Sequence, residues 1–198
     1  MKLFIAPALC ILFMACGSPQ RALISTIEKC SDKSDSKDSI LLPIQKNNDL
    51  VIGYSTSFPG WSDGGSYYLH ALKVKEWKAY RYIQKDIVEV GEKFYSLDSF
   101  TISKELGGSI LRLFKKNKGW EIRSQTSRSG CPHIDKNKGH CIVDDGGSEH
   151  LIIITKNYHN TAKFEAPDSY EGCCPGWKTR QQYMEIREPI KKLFKERR

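Results

Sequence analysis

The chain has 198 residues, of which 39% are hydrophobic and 27% charged. This balance favours one globular domain with a hydrophobic core and excludes wholesale disorder. Thirty-one Lys and Arg residues against 23 Asp and Glu residues give a formal net charge of +8. Such an excess of positive charge favours anionic partners such as nucleic acid, phospholipid headgroups or acidic glycans. Which of these the protein can meet depends on where in the cell it is located.

The first residues have the features of an export signal. Lys2 is followed by an apolar run over residues 3–15 and then by small residues. The run is shorter than the roughly 20 apolar residues of a transmembrane helix, and its length suits the apolar part of a signal peptide. We therefore expect residues 1–15, or alternatively 1–17, to be a signal peptide. Export argues against nucleic acid as the partner.

The end of this segment, LFMAC (residues 12–16), resembles the lipobox of bacterial lipoproteins, although that family usually has leucine where this chain has Phe13. In the family, the cysteine receives diacylglycerol and becomes the mature N-terminus. The resemblance implies lipidation of Cys16 and a bacterial cell-envelope protein held at the membrane by its N-terminal lipid. A periplasmic or secreted protein is the alternative. The resemblance covers this segment alone.

A polar stretch follows the signal segment. Residues 25–39 are nearly all Ser, Asp and Lys after Cys30, a composition that buries too little apolar surface to order itself. We expect residues 16–39 to be a lipid-anchored polar tether. Residues 40–198 are then expected to form a single β-rich domain.

Export also predicts disulfide bonds. Besides Cys16, five cysteines follow the signal segment. Cys131 and Cys141 flank a short polar loop and are expected to pair, and Cys30 is expected to pair with Cys173 or Cys174. One thiol is left over, and a bond between the adjacent Cys173 and Cys174 would be strained.

From Asp49 to about Ala166 the pattern is that of short strands. Apolar and polar side chains alternate, and β-branched and aromatic residues are frequent. The predicted strands are residues 49–57, 66–74, 77–84, 86–90, 93–103, 109–114, 120–127, 140–145, 150–156 and 161–166. Turn residues such as Gly107-Gly108 separate them. The fold class is therefore mainly β (α+β), with an antiparallel sheet, sandwich or barrel and a C-terminal α-helix.

That helix is predicted over residues 177–198, where apolar residues recur at helical spacing: Tyr183, Ile186, Ile190 and Leu193. Pro189 either kinks it or begins a second helix. The basic residues are expected on a solvated outer face, and contact with a membrane surface is the alternative.

One short stretch raises the question of catalysis. Residues 60–64 (GWSDG) match the G-x-S-x-G pattern of a nucleophile elbow, which requires a buried strand before it and a helix after it. Pro59 precedes the match, and proline does not occur inside a central strand, so a turn is favoured. We predict no catalytic residue. A small secreted serine hydrolase that uses Ser62 with His150 or His159 is the alternative.

No metal or cofactor is predicted. Four potential zinc ligands occur in residues 131–141, but their spacing does not suit a tetrahedral site: Cys131, His133, His140 and Cys141. Residues 144–149 (DDGGSE) lack the ligand spacing of a calcium-binding EF-hand loop. Phosphate-binding and zinc-protease motifs are also missing from the sequence.

Aromatic residues provide the candidate binding surface. Tyr80 and Tyr82 share a strand face beside Lys78, and aromatic groups beside cations can stack on sugar rings or contact anionic groups. The candidate ligand-binding residues are Trp61, Tyr67, Trp77, Tyr80 and Tyr82. Ordinary strand packing is the alternative. The sequence thus favours a non-catalytic envelope protein that binds another envelope protein or an anionic glycan or lipid.

Overall fold

A computed structural model describes residues 19–29, 41–57, 65–73, 76–87, 92–125 and 147–195. The strands in these ranges form one antiparallel sheet in the order β4-β3-β2-β1-β5-β6. They are β1 (Leu50–Ser57), β2 (Gly65–Lys73), β3 (Glu76–Ile87), β4 (Glu92–Ile102), β5 (Ser148–Thr155) and β6 (Tyr158–Glu165). The predicted antiparallel α+β fold is confirmed. β4 and β6 lie at opposite ends of this order, so the described strands form an open sheet rather than a barrel.

Helices cover both faces of the sheet. Three of them contribute to the main hydrophobic core on one face, which we call the helical face: α1 (Pro19–Lys29), α3 (Lys104–Lys116) and α5 (Lys178–Lys195). Helix α2 (Leu41–Asn47) packs on the opposite face. A 3-10 turn (Gly119–Glu121) follows α3, and α4 (Pro167–Cys173) precedes α5. None of the helices in the described ranges is long and apolar enough to cross a membrane.

Strand β5 is covered on both faces. Leu151 and Ile153 belong to the core on the helical face, whereas Ile152 and Ile154 belong to the cluster under α2. Each of these four side chains is almost completely buried. Because successive residues of a strand point to opposite faces, a continuous apolar run is what burial on both sides requires.

Helix α3 corrects two predicted strands. Residues 109–114 lie inside this helix. Of the predicted strand 120–127, the described residues 120–125 contribute the end of the 3-10 turn and a single bridge from Gln125 to β6. The amide of Leu106 donates to the hydroxyl oxygen of Ser103, which caps the helix N-terminus. The buried residues Ile110, Leu111 and Phe114 follow helical rather than strand periodicity.

Helix α1 corrects the predicted tether. It lies within residues 16–39, yet Leu23 and Ile27 are buried in the main core. The hydroxyl of Thr155 donates to the Oε1 atom of Glu28 at 2.7 Å, which joins α1 to the end of β5. The folded part of the chain therefore includes residues well before Ile40. Leu23 and Ile27 come before Cys30, after which the chain is nearly all Ser, Asp and Lys, and these two residues pack in the core.

The predicted C-terminal helix is confirmed as α5. The four apolar residues expected on its inner face are buried. Pro189 lies inside this one helix and therefore does not begin a second helix, and the following Ile190 lies in the core. Arg180 and Arg187 are also buried, with 1% of each side chain exposed, which the sequence pattern did not indicate.

Candidate functional site: the basic helical layer

The predicted aromatic surface is not one surface. Tyr80 and Tyr82 do share a face of β3, but Trp77 points to the other side of the sheet, where its indole packs against Gly107. Trp77 and Tyr82 are each 4% exposed. Trp77 and Tyr80 are three residues apart, and residues an odd number apart on a strand point to opposite faces of the sheet. Trp61, and the side chain of Tyr67, lie outside the described residues.

The hydrolase alternative depends on two histidines. The Nδ1 atom of His150 lies 3.3 Å from the hydroxyl oxygen of Ser55, its neighbour across the β1–β5 pair. Burial, together with the charge of Lys163, lowers the pKa of His150 below its ordinary value of 6.5. The Nε2 atom of His159 lies 3.3 Å from the hydroxyl oxygen of Thr161. Ser62 lies outside the described residues, so its pairing with either histidine stays untested.

The cysteine and metal predictions fall largely outside the described ranges. Cys173 and Cys174 are both disulfide-bonded. Their connectivity stays a prediction, because Cys16, Cys30, Cys131 and Cys141 are not among the described residues. The same holds for His133 and His140 of the candidate zinc loop. Within the described part of the chain, no group of three or more His, Cys, Asp or Glu side chains is arranged to hold a metal ion.

Positive charge is concentrated on the helical face. Two segments, residues 104–125 and 178–195, contain 12 of the 31 Lys and Arg residues but only 4 of the 23 Asp and Glu residues. They therefore account for a net +8, which is the net charge of the whole chain, and the remaining residues sum to zero. We call these two segments the basic layer.

The two segments of the basic layer pack beside each other. Glu185 of α5 accepts hydrogen bonds from the amide of Asn117 at 3.0 Å and from the ammonium of Lys116 at 3.1 Å. The side-chain amide of Gln182 donates to the backbone carbonyl of Asn117 at 3.1 Å. The end of α3 and the middle of α5 are thus held together, and their charges belong to one surface.

Two cations of the basic layer point inward and do not belong to its surface. The guanidinium of Arg180 donates to Glu171 at 2.7 Å and to the backbone carbonyl of Cys174. That of Arg187 donates to Glu149 and Asp168, each at 2.7 Å. These contacts join α5 to α4 and β5, so both arginines are structural.

The other ten cations of the layer are not buried: Lys104, Arg112, Lys115, Lys116, Lys118, Arg123, Lys178, Lys191, Lys192 and Lys195. The four glutamates among them are also exposed: Glu105, Glu121, Glu185 and Glu188. The surface therefore keeps a clear cationic excess. Ammonium and guanidinium groups presented in this way attract phosphate, carboxylate or sulfate groups.

A cavity of about 150 Å³ lies where β5 begins and α4 starts, beside the carboxylates that hold Arg187. The carboxylates of Glu149 and Asp168 line it, together with the hydroxyls of Thr56, Ser148 and Ser169. Hydrogen bonding by Arg187 lowers the pKa of Asp168 below its ordinary value of 3.8. Its acidic lining makes this cavity unsuited to the anions that the basic layer attracts.

Comparison with known proteins adds no family to this description. No protein-family model matches the chain, and no curated protein matches it either.

Proposed function

We propose that the protein is an exported lipoprotein, anchored through Cys16, that binds an anionic component of the bacterial envelope without catalysis. The observation that carries the proposal is the concentration of the entire net charge of +8 in the basic layer. The export signal limits the anionic partners to envelope glycans, lipids and proteins. Nucleic acid is not among them.

The basic layer supports this function better than the aromatic residues do. Two of the predicted aromatic side chains are almost completely buried, whereas Lys116 and Lys118 are 68% and 63% exposed. Exposed charges of one sign attract a polyanion from a distance and lose that attraction as salt is added. We therefore expect binding that is strong at low ionic strength and weak at high ionic strength.

Binding of a soluble polyanion tests this function directly. The full chain carrying Cys16→Ser, which removes the lipid, is expected to bind a sulfated polysaccharide. The pair Lys191→Gln and Lys195→Gln removes two exposed charges from one side of α5 and is expected to weaken binding about fivefold. The matched control pair is Lys46→Gln, in α2, and Lys156→Gln, after β5, which gives the same net charge. Equal weakening by both pairs would show that net charge alone governs binding and would contradict a defined surface.

Lipidation at Cys16 is tested separately, in the producing cells. With a radioactive fatty acid in the medium, the full chain is expected to become labelled, and Cys16→Ser is expected to abolish the label. Cys10→Ser is the matched control because Cys10 lies within the apolar run, and it should leave the label unchanged. Label that persists in Cys16→Ser would exclude Cys16 as the anchor.

A further inference from the structure

We propose that the basic layer faces the membrane that holds the anchor, so that its lysines contact anionic lipid headgroups. The inference rests on the proposed anchoring at Cys16 and names the anionic component as the lipid surface itself. Three observations lead to it: the side of the sheet on which α1 lies, the length of chain between α1 and Cys16, and the distribution of charge.

The first observation is that α1 and the basic layer lie on the same side of the sheet. Ile27 of α1 is completely buried, in the same core cluster as Ile110 of α3 and Ile186 of α5. The cluster on the other face contains residues of α2 and none of α1. The anchored end of the chain therefore joins the folded domain at the helical face.

The second observation is the short connection from α1 to the anchor. Helix α1 begins at Pro19, three residues after Cys16. Three Cα–Cα steps span at most about 11 Å. A domain of this size has a radius of gyration of about 16 Å. The connection is thus shorter than the radius of the domain, and the side from which α1 emerges has to stay close to the bilayer.

The third observation is the cationic excess on that side. Anionic lipids give a membrane a negative surface potential that acts over about one Debye length, roughly 8 Å at physiological salt. Exposed lysines held within such a distance are attracted to the headgroups. A diacyl anchor already provides stable attachment, so the effect of the charges is to fix orientation. The opposite face, with α2 and Tyr80, then points away from the membrane.

Lysine acylation of the lipidated protein tests the orientation. The full chain is reconstituted into phosphatidylcholine vesicles with and without phosphatidylglycerol, and a water-soluble acylating reagent is quantified at each lysine by mass spectrometry. In anionic vesicles, Lys191 and Lys195 are expected to react about fivefold more slowly, relative to Lys46 of α2 in the same molecules, than in detergent. The ratio between lysines of one molecule corrects for protein that faces the vesicle lumen.

The outcomes separate this inference from the proposed function. An unchanged ratio in anionic vesicles, or slower reaction of Lys46 instead, overturns the orientation. If the Cys16→Ser chain nevertheless binds the sulfated polysaccharide, the proposed function stands and the ligand is a soluble polyanion. If neither binding nor protection is seen, both proposals fail. Protection that disappears in pure phosphatidylcholine supports an electrostatic origin.

Discussion

Replacing Arg187 with methionine is expected to lower the free energy of unfolding by about 3–5 kcal/mol, the cost typical of breaking a buried ion pair from one side. Urea denaturation followed by circular dichroism measures this loss. A change below about 1 kcal/mol would show that the Arg187 contacts contribute no more than a surface ion pair does.

The magnitude follows from how unequal the three carboxylate partners of Arg187 are. Asp168 and Glu188 are 57% and 58% exposed, so water screens them and they contribute little. Glu149 is only 15% exposed and also accepts a hydrogen bond from the hydroxyl of Tyr183 at 2.7 Å. Without Arg187, this mostly buried carboxylate loses its cationic partner and keeps the hydrogen bond from Tyr183. Burial and the neighbouring Glu149 raise the pKa of Tyr183 well above its ordinary value, so the phenol stays neutral and offers this carboxylate a hydrogen bond but no compensating charge.

A double-mutant cycle separates the ion pair from the loss of packing. Glu149→Gln removes the charge that Arg187→Met leaves behind, so the double variant is expected to lose less stability than the two single variants added together. Arg112→Met, an exposed arginine of α3, is the matched control and should change stability by less than about 0.5 kcal/mol. If the stability losses of the two single variants add up to the loss of the double variant, a direct Arg187–Glu149 interaction is contradicted.

Two adjacent glycines of α3 are expected to respond to alanine in opposite directions. A Cβ atom at Gly107 would lie 2.4–2.6 Å from three atoms of the Trp77 indole. That ring is buried, and the atoms that the Cβ would meet are Cγ, Cδ1 and Cδ2, at the base of the ring rather than at a flexible end. Overpacking of this kind costs about 1–3 kcal/mol. The gain of about 1 kcal/mol in helix propensity offsets only part of it. Gly107→Ala is therefore expected to destabilise the protein.

Gly108→Ala is the matched control. The nearest atom to its added Cβ is a guanidinium nitrogen of Arg112 at 3.6 Å, an ordinary contact. Only the helix propensity changes, so this variant is expected to be about 0.5–1 kcal/mol more stable than the wild type. Urea midpoints of the two variants give the comparison. Stabilisation by both would mean that Trp77 does not pack closely on α3.

The sheet was largely predictable because alternation is a local signal. Five of the predicted strands correspond closely to β1, β2, β3, β4 and β5, and a sixth overlaps β6. The C-terminal helix was equally clear from the helical spacing of its apolar residues. In each case the periodicity of apolar residues can be read within a single strand or helix, without knowing which elements pack against it.

Helix α3 was missed because its apolar run is short and begins beside two glycines. Gly107 and Gly108 indicated a turn, and residues 109–114 alone fit a strand as well as a helix. Two features would have favoured a helix over a strand here: Ser103, which is a typical N-cap residue, and the apolar residues of α3 that follow it at helical spacing. With α3 taken as a strand, its lysines did not join those of α5, and the basic layer was not predicted.

The buried arginines had no local signal at all. Arg187 pairs with Glu149, 38 residues earlier, and only the fold brings the two together. Arg180 and Arg187 looked like two more solvated charges of a basic helix. Trp77 was assigned to the wrong surface for a related reason, because aromatic residues close in sequence were grouped without regard to the face on which each lies.

The pairing of β1 with β5 also bears on when the protein is able to fold. Leu50 pairs with Thr155, which in turn holds Glu28 of α1. Translation proceeds from the N-terminus at about 5–20 residues per second, so β1 waits roughly 5–20 s for its partner to be synthesised. Contacts this distant in sequence also form slowly once both strands are present. A newly made chain can therefore pair β1, β2, β3 and β4 with one another in its first seconds, but it still lacks β5, which contributes to the core on both faces of the sheet.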